Sequence, residues 1–285
     1  MVKMNRPASG AGRRGCTGLL VFGGMMASAT LARAQIDYRN LDDDRPTLIE
    51  DAYPVERFAF ELLAPWRFGR NRDGGNTHAF IPEIAYGILP NGQLGLKVPV
   101  AGVRGDGART WGLAGLRLFA LYNFNTESRV APALSLRTDA IFPVGRLAGE
   151  GTRVSAKAIA TRSWGRNRLH LNAAYTFGPE RRLGAAEAAN KWWYGAAVDR
   201  TLYRQSLLLI GEVYALRPAS SEPTQVNTSI GVRYQLTPYL VFDAGVARRL
   251  RQVAGPDYEL TVGFSRALAI PGLLPTRRSP AGATR

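Results

Sequence analysis

The sequence has little of what most enzymes and disulfide-stabilised proteins need. It holds one cysteine, Cys16, and two histidines, His78 and His170, in 285 residues. One cysteine leaves no intramolecular disulfide, and the chain has no zinc-ligand spacing, P-loop or dinucleotide fingerprint. Pairing either histidine with a serine and an acid is arbitrary, because strand spacing alone does not fix their distances. We therefore predict a protein that is not an enzyme and that holds no cofactor and no metal.

Long apolar runs are also missing after residue 34. No later window reaches the roughly 18 uncharged apolar residues that a transmembrane helix requires. At the N-terminus, a basic region is followed by the short apolar run Leu19–Leu31 and by Ala32-Arg33-Ala34, which fits the small-x-small cleavage rule. We predict that residues 1–34 are a cleaved signal peptide. This segment holds five basic residues and no acidic residue, so its removal lowers the formal charge from +15 to +10.

What the chain has in abundance is alternation with a period of two. Within 226–236, apolar or threonine side chains occupy every second position, and 240–246 and 258–264 repeat the pattern. Successive side chains of a strand point to opposite faces, so each of these strands has one apolar face. The opposite face carries charged residues such as Arg233 and Asp243. Strands of about ten residues with an apolar outer face and a polar inner face indicate a transmembrane β-barrel.

The same pattern divides residues 55–266 into twelve strands, and the connections between them alternate short and long. An even number of strands places both ends of a barrel on one side, which is the periplasmic side in outer-membrane barrels. Aromatic residues flank both kinds of connection, as two interfacial girdles would require. We predict an all-β, antiparallel, up-and-down barrel in the outer membrane with both termini periplasmic. A soluble sandwich or lipocalin-like barrel is the alternative, but it would carry its apolar residues inside.

Two segments fall outside the predicted barrel. Residues 35–54 are acidic and aperiodic, and we interpret them as a periplasmic N-terminal lead-in. Their run Asp42-Asp43-Asp44 is more typical of a solvated acidic loop than of a cation site. Residues 267–285 are rich in proline and arginine and are predicted to form a disordered C-terminal tail.

The charged residues on the inner faces of the strands are candidates for lining a pore. In the fourth strand the alternation is ambiguous, and Arg117 points inward only if Leu118 and Tyr122 point outward. Rings of Arg and Lys favour anions, whereas ion pairs among lumen residues would close the barrel. Twelve strands lie between barrels filled by side chains and wide pores, so both interpretations stay open. The predicted pore-lining residues are Glu83, Lys97, Arg117, Arg137, Asp139, Arg153, Lys157, Arg168, His170, Glu212, Arg233, Asp243 and Glu259.

The positive charge of the chain does not indicate nucleic-acid binding, because its basic residues are scattered singly along strands instead of forming a patch. The predicted partners are outer-membrane lipid, lipopolysaccharide and a small-molecule solute, with no nucleic acid.

Three short motifs carry a resemblance to a known family. The first is the segment Asp44-Arg45-Pro46-Thr47-Leu48-Ile49-Glu50, which precedes Phe58-Ala59-Phe60-Glu61. The other two are 86–94 and 234–240, in each of which one strand ends, a turn follows and the next strand begins. These segments resemble a family of bacterial outer-membrane transporters, the putative proteins of the MetA pathway of phenol degradation. The resemblance covers most of residues 44–266, although this chain does not end on an aromatic strand. It implies an outer-membrane barrel that moves small, including aromatic, compounds, and it supplies no binding residues.

Passive passage of small solutes, with aromatic and anionic compounds as candidate classes, is the function that the sequence favours. A closed structural barrel whose long external loops interact with partners is the alternative. A lipid-modifying enzyme of the outer membrane is a third hypothesis, which needs a Ser–His pair facing lipid. The alternation places His170 on the inner face, which argues against that pair.

Overall fold

The structure, a computed structural model, describes residues 36–270 except 73, 106–107, 180–189, 203–205, 221–222 and 252–255; of 103–105 and 108–109 it describes only the backbone. The predicted signal peptide, 1–34, lies outside the described residues, as does the predicted tail beyond 270. No helix in the described part of the chain is long and apolar enough to cross a membrane.

Twelve antiparallel strands form the protein, and the first four are each interrupted once. Every strand pairs with its neighbours in the chain, and the last strand pairs with the first, Ala59 lying opposite Ala269. The barrel is therefore closed, and the predicted fold class is confirmed. The strands are β1 (Ala59–Leu63 and Trp66–Arg70), β2 (Asn76–Phe80 and Glu83–Leu89), β3 (Gly92–Lys97 and Val100–Gly105), β4 (Ala108–Leu113 and Leu116–Asn125), β5 (Ala133–Phe142), β6 (Arg153–Trp164), β7 (Asn167–Phe177), β8 (Lys191–Leu202), β9 (Leu207–Pro218), β10 (Gln225–Thr237), β11 (Leu240–Arg251) and β12 (Tyr258–Ala269).

The first strand begins and the last strand ends at the same rim of the barrel, which we call the terminal rim. Strand β12 ends at Ala269, three residues beyond the predicted boundary at 266. The predicted alternation of long and short connections is wrong at two places. The β3–β4 connection, which the alternation predicts to be long, spans only 106–107, and the β4–β5 connection, which it predicts to be short, spans 126–132. Side chains order this second connection, since Ser128 Oγ accepts hydrogen bonds from the N–H groups of Val130 and Ala131.

The outer face of the barrel is apolar and the inner face is polar. Leu118 and Tyr122 of β4 are nearly half exposed, whereas Phe119 and Leu121 between them are buried. These exposures assign the outward and inward faces of the fourth strand, which the sequence left ambiguous. In β9, the inward residues include Ile210 and Glu212. Exposed apolar residues recur at every second position around the barrel, which is the surface that a lipid bilayer requires.

A bend crosses the first four strands along one line. Pro65, Pro82 and Pro99 interrupt β1, β2 and β3, and a glycine with φ of +114°, Gly115, interrupts β4. Proline lacks the N–H that a ladder bond needs. The carbonyl of each proline accepts an N–H from the interruption of the next strand, at 2.9–3.0 Å. The barrel therefore stays hydrogen-bonded through the bend.

Candidate functional site

The lumen is filled by the N-terminal segment 36–56, which we call the plug. Its residues bond to inward side chains from strands all round the barrel, and eleven of its residues are buried in the protein interior. The prediction that residues 35–54 form a periplasmic lead-in is therefore wrong for the described part of that segment. The physical reason is charge, because the acidic residues that looked solvated meet basic residues of the wall.

Four cations on neighbouring strands surround one carboxylate of the plug. We call Lys97, Arg117, Arg137 and Lys157 the basic arc; they lie on β3, β4, β5 and β6. Asp43 Oδ2 lies 3.3 Å from Lys97 Nζ, 3.6 Å from Arg117 Nη1, 3.7 Å from Arg137 Nη2 and 3.6 Å from Lys157 Nζ. Two wall carboxylates pair with the same cations, Glu83 at 2.9 Å from Lys97 and Asp139 at 3.0 Å from Arg137.

A second plug carboxylate binds two of the same cations more closely. Glu50 Oε1 lies 2.7 Å from Arg137 Nη1, and Glu50 Oε2 lies 3.1 Å from Lys157 Nζ. Arg137 also lies over the ring of Phe119, with its guanidinium carbon 3.9 Å from the ring centroid. This contact fixes the plane of the guanidinium and so holds its donors toward the plug.

Elsewhere in the lumen, beside the buried Arg233 of β10, three acidic side chains bind the plug arginine. Arg45 is fully buried, and its guanidinium lies 2.7 Å from Asp243, 2.6 Å from Asp42 and 3.3 Å from Glu61. Two of these acids belong to the wall, on β11 and β1. The plug therefore places its acids against the basic wall and its arginine against the acidic wall.

Hydrogen bonds from wall side chains hold the plug backbone between these charged regions. Both carboxylate oxygens of Glu212 accept N–H groups of the plug, from Leu48 and Ile49, at 2.9–3.0 Å. Asn172 receives the N–H of Glu50 and donates to its carbonyl. Side chains thus satisfy backbone groups that have no strand partner, as buried polar groups require.

A chain of hydrogen bonds links the plug to the one buried histidine of the wall. Asp51 pairs with Arg168 at 3.1 Å, and Arg168 also pairs with Asp199 at 2.6 Å. His170 Nε2 lies 2.9 Å from Asp199 Oδ2, and His170 Nδ1 lies 3.0 Å from Thr161 Oγ1. The hydroxyl of Thr161 in turn accepts the N–H of Ala52 in the plug.

The two environments act differently on two plug carboxyls. Burial opposes ionisation of Asp43, but the surrounding cations, led by Lys157 and Lys97, hold its pKa well below the usual value. Burial raises the pKa of Asp51 to about 7, although Arg168 and two backbone N–H groups act against the rise. Asp43 is thus ionised whenever the plug is docked, whereas Asp51 titrates near neutrality.

A cavity of about 370 Å³ lies between the plug and the wall at the terminal rim. Tyr53 and Val55 of the plug form one side, and Ala59, Glu61 and Ala267 of the first and last strands form the other. A second cavity of about 270 Å³ lies at the same rim, between Tyr38 and Arg39 of the plug and the β6–β7 turn.

The structure places all thirteen predicted pore-lining residues on the inner face of the barrel. Ten of them are buried under the plug, and Arg117, Arg153 and Glu259 are partly exposed. That they line a conducting path stays a prediction. Sequence reasoning missed the plug residues and the wall residues Glu61 and Asp199; the signal available for the plug was an acidic segment preceding a lumen with an excess of basic residues.

These features define an outer-membrane-type β-barrel of twelve strands with an internal plug. No family model matches the chain, and no curated protein matches its sequence. Among solved structures, it is similar to the COG4313 outer membrane channel from Pseudomonas putida F1, with 13% identity, a TM-score of 0.60, and coverage of 76% of this chain and 98% of that one. It is also similar to the NanC porin, with 10% identity, a TM-score of 0.52, and coverage of 73% and 98%. At these identities the likeness is one of fold.

Proposed function

We propose that the protein is an outer-membrane channel for passive passage of small solutes, closed in this conformation by its plug. The observation that carries the proposal is the way the plug is held. Among the described residues, side chains of the wall hold it through ion pairs, hydrogen bonds and apolar packing, together with one backbone bond from the N–H of Ile36 to the carbonyl of Pro238 in the β10–β11 turn, and the plug completes no strand of the barrel. Such a segment can leave the lumen without unpairing the barrel.

The chemistry of the wall supports a preference for anions. With the plug displaced, the basic arc would face an aqueous lumen, and rings of Arg and Lys favour anions. Small aromatic compounds, which the resemblance to the phenol-degradation family implies, are a second class of solute to assay. The similarity in fold to two proteins named as a channel and a porin is consistent with passage of small solutes.

Two other functions have less support. A permanently closed barrel with a structural or surface-interaction role accounts for the filled lumen. It does not account for a plug that ion pairs hold in place without strand pairing. A lipid-modifying enzyme requires a nucleophile and base at the lipid face. His170 is fully buried on the inner face, and its two ring nitrogens contact Thr161 and Asp199.

Planar-bilayer recording across a potassium chloride gradient tests the proposal. The wild-type protein is compared with the double variant Asp43→Asn/Glu50→Gln, which keeps the wall intact and weakens the plug. We expect brief openings of the wild type, longer openings of the double variant, and a reversal potential that favours chloride. The matched control is Asp37→Asn, since Asp37 is an exposed acid of the same segment that accepts the N–H of Arg39. Silence of every variant, with folding verified by heat-modifiable gel mobility, would establish the closed barrel instead.

A further inference from the structure

The structure assigns a binding site for a small dicarboxylate to the basic arc, and the plug occupies that site with its own Asp43 and Glu50. The two carboxylates reach the same pair of cations, Arg137 and Lys157. They belong to residues seven positions apart, so the fold of the plug brings them together at this one place. The plug therefore presents to the wall the charge pattern of a compact dianion.

The charge of the wall matches two carboxylates. The four cations of the basic arc face two wall acids, Glu83 at 2.9 Å from Lys97 and Asp139 at 3.0 Å from Arg137. The wall alone thus carries an excess of two positive charges at this place. Asp43 and Glu50 supply two negative charges, and Asp44 divides its contacts between Lys97 and Arg67 outside the arc. A solute that replaces Asp43 and Glu50 needs the same two charges.

The geometry of the arc favours a short solute. Glu50 binds Nη1 of Arg137 and Asp43 approaches Nη2, so one guanidinium serves both carboxylates. The fork of an arginine orients planar carboxylates, which a spherical ammonium group cannot do. A four-carbon dicarboxylate such as succinate can place two carboxylates on one such fork and its neighbouring lysine.

Solute and plug must compete, because they use the same cations. A ligand that binds only the unplugged state has an apparent affinity reduced by the fraction of molecules in that state. Any change that weakens the plug without touching the wall then raises the apparent affinity. If the protein is the proposed channel, this site determines the class of solute that it passes. The role of the site in the cell therefore rests on the proposed function. Binding itself is measurable without transport.

The experiment is a titration of the detergent-solubilised full chain with succinate at constant ionic strength. Trp193 reports on the site, since Lys157 Nζ lies 5.4 Å from the centroid of its ring, and Trp193→Phe identifies its share of the fluorescence. We expect Asp43→Asn/Glu50→Gln to lower the apparent Kd for succinate at least ~10-fold relative to wild type. Asp37→Asn should leave it unchanged. Acetate, with one carboxylate, and 1,4-diaminobutane, with two positive charges, should bind far more weakly.

A third variant separates loss of the plug from loss of the site. Adding Lys157→Gln to the double variant keeps the plug weakened but removes one cation of the arc, and it should restore a weak apparent Kd. Equal Kd values for wild type and double variant, or equal affinities for succinate and acetate, would overturn the assignment. Chloride conductance without a succinate effect would leave the channel standing and remove the site. Succinate binding by a barrel that never conducts would support the site and contradict the proposed channel.

Discussion

Glu212 is the single wall residue whose loss should release the plug most directly. Its carboxylate accepts the N–H groups of Leu48 and Ile49, and it also receives the hydroxyl of Ser229 at 2.6 Å. Glu212→Ala leaves two buried N–H groups without an acceptor. Each such group costs about 1–3 kcal/mol when it stays unsatisfied, so docking of the plug weakens by ~2 kcal/mol or more.

The expected effect on the docking equilibrium follows from that energy. A loss of ~2 kcal/mol raises the population of the undocked plug by about 30-fold, since 1.4 kcal/mol corresponds to a factor of ten. Amide exchange in the plug should accelerate by a similar factor, because exchange of a locally opening segment follows its opening equilibrium. Amides of the barrel strands should keep their protection, because no strand pairs with the plug.

Hydrogen–deuterium exchange with mass spectrometry measures this change. Peptides covering 45–52 report on the plug, and peptides from β10 and β11 serve as the internal standard. Glu212→Gln keeps one acceptor oxygen and should show a smaller acceleration. Glu259→Ala removes another lumen acid, 3.8 Å from Arg67, and should leave the plug protected. Unchanged exchange of the plug in Glu212→Ala would mean that these backbone contacts do not hold it, and the account of a side-chain-bound plug would fail.

Three further predictions concern the ion pairs, the pH and the orientation. Arg45→Met removes the cation that pairs most closely with Asp243, Asp42 and Glu61; a broken buried pair typically costs ~3–5 kcal/mol, so limited proteolysis should cut the plug faster than in wild type. The raised pKa of Asp51, about 7 when docked against 3.8 when free, means that the contribution of this carboxyl to docking is largest below pH 4 and is lost as the pH rises through 7. Asp51→Asn should remove that dependence in exchange rates corrected for intrinsic chemistry, and an unchanged dependence would exclude Asp51 as its source. A cysteine at Val144 should be labelled on intact cells and one at Val130 only after permeabilisation; the opposite result would reverse the predicted orientation.

The barrel could be predicted from sequence because its two faces meet different surroundings. Each strand must satisfy lipid on one side and a polar lumen on the other, so the requirement is written into every second residue. Leu118 and Tyr122 against Phe119 show where this fails, because an inward aromatic that packs under Arg137 looks like an outward one. Alternation fixes the face of a charge and says nothing of its partner.

The bend across β1–β4 was hidden for a different reason. Pro82 and Pro99 could be read as the start or end of strands, since proline interrupts a ladder wherever it stands. Only the pairing of one interruption with the next shows that the strands continue past them. That pairing is a long-range property, in which Val98 donates to the carbonyl of Pro82 at 3.0 Å. Local sequence patterns therefore predicted a long connection where β3 and β4 continue.

The plug has no periodicity because nothing in it alternates between two environments. Most of its side chains contact the wall, so its pattern is set by the order of charges around the lumen. Asp43 and Glu50 lie against the basic arc, and Arg45 lies against the acids of β1 and β11. A sequence signal for such a segment is the balance of charge between an aperiodic stretch and the predicted inner face, with an acidic stretch beside an inner face that has more basic than acidic residues. A lumen with that excess must recruit anions, and in this conformation the chain supplies them itself.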